Sequence, residues 1–102
     1  MINEKIMLLP IGTVVKLKSV DKPVMIYGRH QIQKKSEKVF DYIAVPYPEG
    51  NLTEEFNVFF NRELIEEIIH PGLKSPAEDL MRKKVESDIE QSKSMRGTSH
   101  EN

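Results

Sequence analysis

The stretch Lys38–Gly50 reads Lys-Val-Phe-Asp-Tyr-Ile-Ala-Val-Pro-Tyr-Pro-Glu-Gly. It constrains the fold more than any other, because it is the densest run of β-branched and aromatic residues in the chain, and such residues favour a pleated backbone. Both alternating sets are mostly apolar. Phe40, Tyr42 and Ala44 share one face, and Val39, Ile43 and Val45 share the other. That pattern predicts a strand covered on both sides, with Asp41 as its charged exception. Pro46 and Pro48 each remove a backbone donor, so regular pairing should fade there. Glu49-Gly50-Asn51 then turns the chain.

A chain of 102 residues suffices for one domain. All aromatic residues lie between Tyr27 and Phe60, so the densest packing belongs to the middle of the chain. The 15 basic and 16 acidic side chains leave a formal charge of −1, and no net field draws the protein to nucleic acid or anionic lipid. Cysteine is absent, which removes disulfides, thiolate metal ligands and thiol nucleophiles and suits a cytoplasmic setting. The apolar run Ile6–Ile11 is broken by Pro10. It is too short for a signal-peptide core and far below the roughly 20 residues needed to cross a bilayer.

Read in order, residues 1–8 form a leader, and Leu9-Pro10-Ile11-Gly12 makes an entry turn. Thr13–Lys18 alternates as a half-buried strand, with Ile11, Thr13, Val15 and Leu17 on one face. After a Ser19–Pro23 connection, Val24–Tyr27 begins a second strand that extends toward Ile32. Gly28 marks a bulge or a close backbone approach in it. With the central strand these pieces make an antiparallel meander. Phe56–Phe60 reads as a fourth short strand. Asn61 then reads as the cap of a short helix in which Leu64, Ile65, Ile68 and Ile69 repeat at helical spacing. His70-Pro71-Gly72 stops that helix. Ser75-Pro76-Ala77-Glu78 signals a second helix start, running to about Gln91 or Lys93 with a narrow stripe of Met81, Val85 and Ile89. The polar tail that follows reads as disordered. The expected organisation is a core domain over residues 8–73, an amphipathic helix over 74–93 and a tail over 94–102. The expected fold class is α+β: a small antiparallel sheet, open or rolled into an SH3-like barrel, with a short closing helix and a C-terminal helix.

No catalytic constellation emerges. His30, His70 and His100 lie in unrelated settings without metal-ligand spacing. The serines sit in connections with no base placed beside them, and isolated glycines do not cradle phosphate. We therefore expect no catalytic residue, metal or cofactor. Arg29, His30, Lys34, Lys35 and Lys38 form a basic stretch next to Tyr27, Phe40 and Tyr42, the ingredients of a single-stranded nucleic-acid platform. The interspersed acidic residues dilute it, and a solvated mixed loop is the simpler reading. The strand exit Tyr47-Pro48-Glu49 offers rigid contact area of the kind used at interfaces. The stripe Met81, Val85 and Ile89 suits either docking on the domain or a partner helix.

Leu9–Lys18, Met25–Arg29, Asp41–Gly50 and Phe59-Phe60-Asn61, taken together and in this order over residues 8–72, resemble the domain-of-unknown-function family DUF4176 of Gram-positive bacteria. Members of that family are typically found in type VII secretion gene clusters, near genes for LXG-type toxins. The resemblance implies an accessory role in that export pathway, as a cytoplasmic chaperone or targeting partner of a secreted toxin encoded nearby. Secreted partners in such systems form helical hairpins with a Trp-x-Gly turn, and this chain has no tryptophan.

The function expected is thus non-enzymatic protein binding. Arg29, Tyr42, Tyr47, Pro48, Glu49 and Asn61 are the candidate recognition or site-shaping residues. Tyr47 and Glu49 would touch the partner, whereas Arg29 is structural if it pairs with Asp41 or Glu49. An immunity protein neutralising a toxin domain and a small nucleic-acid-binding module are the alternatives. An exposed sheet edge or the helical stripe offers a route to a weak homodimer.

Overall fold

A computed structural model describes residues 7–100. The expected leader lies outside the described residues except for its last two, and so do the last two positions of the expected tail. Among these residues five strands, β1 (Val14–Leu17), β2 (Val24–Gln33), β3 (Lys38–Pro46), β4 (Val58–Phe60) and β5 (Ile65–His70), precede one α-helix, α1 (Pro76–His100). The fold is α+β, an antiparallel sheet in the order β4-β3-β2-β1-β5 with the helix at its C-terminal end.

β4 and β5 form opposite edges of this sheet, yet only residues 61–64 separate them. A flat five-strand sheet is about 19 Å across. Part of the link is a 3₁₀ turn over Arg62–Leu64, which rises only about 2 Å per residue. The sheet therefore rolls until its edges approach each other. They do not pair, so the barrel alternative is corrected to a rolled but open sheet. The core fills the rolled face: Val15, Leu17, Val24, Ile26, Tyr42, Ala44 and Phe60 from the strands, Leu8 from the strap before β1, and Ile89 from α1.

β3 is the middle of the structure, as its sequence demands. Tyr42, Ile43, Ala44 and Val45 are all buried. Its first half departs from the expectation, since Val39 is exposed where the β2–β3 hairpin runs beyond the other strands. Gly28 marks the expected bulge, while the close approach to it is made by a side chain and not by backbone. The β2–β3 register shifts between Ile26 and Gly28, and a Cβ at Gly28 would stand 2.7 Å from Cγ2 of Ile43. The entry turn is also in place: Thr13 donates from its backbone N and from Oγ1 to the Pro10 carbonyl, at 3.2 and 2.7 Å.

The short closing helix is corrected to β5. Leu64 ends the 3₁₀ turn and Ile65–His70 is a strand paired with β1. The i, i+1, i+4, i+5 spacing of four aliphatics did not mark a buried helical stripe, because Ile68 and Ile69 are each about half exposed. Three of the four are isoleucines, whose branched Cβ favours a strand once a neighbouring edge supplies hydrogen bonds. Two register shifts interrupt β5 against β1. Bulges, Glu66, Glu67 and the following Pro71 blunt this outer edge against further pairing.

α1 begins at Pro76, with Ser75 Oγ accepting from Glu78 N at 3.1 Å. It continues through His100 rather than stopping near Lys93, which replaces residues 94–100 of the expected disordered tail with helix. Extending a formed helix costs far less than nucleating one, so polar residues without an apolar period still prolong it. Of the predicted stripe, Ile89 is buried and Val85 packs on the core, while Met81 is half exposed.

Candidate protein-binding surface

Two regions gather the residues singled out by the sequence. The first is the joint between strap, sheet and helix. Arg29 is buried, and its Nη1 lies 2.8 Å from Glu78 Oε2 and 3.3 Å from the Leu9 carbonyl. Arg82 Nη1 donates to Glu86 Oε2 at 3.3 Å, and the same carboxylate oxygen accepts from Leu8 N at 2.8 Å. Glu78, Arg82 and Glu86 recur every four residues, so one face of α1 is an ionic row pressed on the strap and on Arg29. Tyr42 lies beneath, 1% exposed, with its hydroxyl accepting from Leu9 N at 2.9 Å and its ring tilted against Phe60 at 5.4 Å. Burial pushes the Tyr42 hydroxyl above its ordinary pKa. A cavity of about 260 Å³ opens between residues 7–10 and Lys74, Glu78, Asp79 and Arg82.

Arg29 and Tyr42 therefore act inside the fold, not on its surface. Arg29 is structural, but through Glu78 rather than Asp41 or Glu49. Asp41 instead accepts from Arg62 N at 2.9 Å, and Glu49 pairs with Lys22 at 2.6 Å. Asn61 stands at the N-cap of the Arg62–Leu64 3₁₀ turn, but its side chain does not cap it. Its Oδ1 accepts from Asp41 N at 2.9 Å, and the two side chains lock the turn after β4 to the middle of β3.

The second region is the strand exit. Tyr47 N donates to the Pro23 carbonyl and Gly50 N to the Pro46 carbonyl, at 3.0 and 2.7 Å. The Tyr47–Pro48 peptide bond is cis, and Gly50 takes a positive φ of 83°. The hydrogen bond from Lys22 holds the Glu49 carboxyl below its ordinary pKa. The loop beyond is fastened by Asn57, whose Nδ2 lies 3.0 Å from Asn51 Oδ1 and 3.2 Å from the Tyr27 hydroxyl. Thr53 Oγ1 accepts from Glu55 N, starting a short 3₁₀ turn over Glu54–Phe56. On this scaffold Tyr27, Tyr47, Leu52 and Phe56 are 42–60% exposed.

Of the six candidate recognition residues, the structure brings Tyr47, Pro48 and Glu49 together on the surface and takes Arg29, Tyr42 and Asn61 into structural roles. It adds Leu52 and Phe56, to which no interface role was assigned from sequence, and Tyr27, which the sequence placed only beside the basic stretch. Phe56, directly after two glutamates in a turn-rich stretch, was the available signal. Among the described residues no group of three or more His, Cys, Asp or Glu side chains is placed to hold a metal ion. No described helix is long and apolar enough to cross a membrane.

Architecture and surface define a class: a small α+β domain of rolled antiparallel sheet that presents an ordered, partly apolar loop beside its strand exit. The sequence pattern of the family described as Domain of unknown function (DUF4176) matches residues 8–81. The chain belongs to that family, and the match takes in the strap, the whole sheet and the Arg29–Glu78 pair. No curated protein and no solved structure matches the chain.

Proposed function

We propose that this protein is a non-enzymatic accessory factor of type VII secretion in Gram-positive bacteria, a cytoplasmic chaperone or targeting factor that binds an LXG-type toxin. The family's association with such gene clusters supports this reading. The observation that carries the contact site is the exposed set Tyr47, Leu52 and Phe56 on the strand exit and its loop, with Tyr27 of β2, to which Asn57 of the loop is hydrogen-bonded. A preordered apolar surface loses little entropy on binding. Pro48 and Glu49 complete the contact, with Glu49 and Lys22 as a polar rim.

Co-purification with the product of a neighbouring toxin gene tests the reading. A complex that forms in either order of expression, and weakens in Tyr47→Ala and Phe56→Ala, supports it. Absence of a complex overturns it. Protection of cells from the toxic domain without any change in secretion would replace the export role with an immunity role.

A further inference from the structure

The β2–β3 hairpin reaches past its neighbours. β1 pairs with β2 at Val24 and Met25, and β4 pairs with β3 over Tyr42–Ala44. From Gln31↔Phe40 through Ile32↔Val39 to Gln33↔Lys38, the two strands pair only with each other. Phe40 rests on Phe59 at 5.7 Å and stiffens the base of this arm. Its tip is locked by Glu37 N donating to the Gln33 carbonyl at 2.7 Å and by Ser36 Oγ donating to Gln33 Oε1 at 2.6 Å. The arm is thus ordered by its own bonds rather than by the body of the domain.

Its surface has a defined chemistry. Ile32 and Val39 are register partners on one face and remain 61% and 40% exposed. Lys34 and Lys35 lie in the turn beyond this pair and Lys38 stands next to Val39 on the alternate face; Glu37 is the single carboxylate of the arm, and none of the three lysines is ion-paired with a described residue. Three positive charges against one negative leave the arm at +2, so with the whole chain at −1 the rest carries −3. A nucleic-acid backbone would satisfy the lysines but give the aliphatic pair nothing to cover it. A protein segment satisfies both features.

We propose that the β2–β3 arm is a second docking element, and that its occupant is an acidic segment of a partner protein carrying exposed aliphatic side chains. The inference rests on the protein-binding reading in kind, not on the identity of the toxin. It places a contact at the far end of β2 and β3 from Tyr47.

The test is a titration of the full chain at low salt with a synthetic amphipathic leucine–glutamate peptide, followed by amide chemical shifts. The expected result is movement confined to Gln31–Phe40. Binding should weaken about ten-fold in Lys34→Glu with Lys35→Glu, and comparably in Ile32→Ser with Val39→Ser. Tyr47→Ala should bind as the parent does. Thermal melts of each variant confirm folding. Arm signals unmoved by the peptide overturn the proposal, as does binding as tight as the parent's in either double variant. Stronger arm shifts with a leucine–lysine peptide, duplex DNA or phosphatidylglycerol vesicles also overturn it, the last two in favour of a nucleic-acid or membrane contact. Failure of toxin capture alongside a positive arm titration removes the secretion reading and leaves the arm; the reverse result removes the arm alone.

Discussion

Glu78→Gln should loosen the seat of α1. The Arg29 side chain is 4% exposed and that of Glu78 11%, with 2.8 Å between them. Two unit charges about 4 Å apart attract by about 4 kcal/mol at an effective dielectric of 20. Removing one partner of a buried pair costs about 3–5 kcal/mol, because the other charge is left without compensation. Gln keeps an oxygen to accept from Arg29, and the Leu9 carbonyl stays 3.3 Å away, so the loss should fall near 2–3 kcal/mol. For a domain of this size that lowers the melting temperature by about 10–20 °C. Arg29→Met alone should also destabilise, since Glu78 then faces only Arg82 at 4.0 Å. The double change Arg29→Met with Glu78→Leu should be more stable than either single variant, because an apolar pair replaces a buried ion pair at little or no cost. Urea unfolding monitored by circular dichroism gives the coupling energy, and hydrogen exchange along α1 shows whether the helix opens first. A Glu78→Gln protein within about 0.5 kcal/mol of the parent, or single and double changes that simply add, would refute the claim that this pair fastens the helix.

Lys22→Ala should return the Glu49 carboxyl toward its ordinary value of 4.5, read by an NMR pH titration. The depressed carboxyl contributes stability above the ordinary value and loses it as pH falls through the lowered one, so the variant should lack that acid-side dependence. Tyr42→Phe should cost about 1 kcal/mol by leaving Leu9 N without its acceptor. Because burial raises the Tyr42 hydroxyl, its contribution is intact below the ordinary value of 10.0 and is lost as pH rises toward the raised one. Chemical denaturation across that alkaline window should show a fall in stability that the Phe variant lacks.

The aromatic strand, the entry turn, the Gly28 bulge and the Ser75-Pro76 helix start were legible in the chain because each is set by neighbours within a few residues. Alternation, a donor missing at proline and a cap are local properties. The strand exit was legible for the same reason, since Tyr47, Pro48 and Glu49 are consecutive. Arg29, Tyr42 and Asn61 were marked as recognition or site-shaping residues, but their roles in the fold depend on Glu78, Leu9 and Asp41, far away along the chain.

The amino-acid order by itself determined that the middle of the chain must be a strand and that a helix must begin after Ser75, while the fold confined full burial of that strand to Tyr42–Val45. Only the tertiary structure decided that Ile65–His70 is a strand. Four aliphatics at that spacing suit a short helix or a bulged edge equally, and the choice fell to the unpaired donors and acceptors of β1. Tertiary structure likewise turned Arg29 inward, because a buried cation takes whichever carboxylate the fold delivers. It left Tyr27, Leu52 and Phe56 outside because the rolled core was already filled by Tyr42, Phe60 and Ile89.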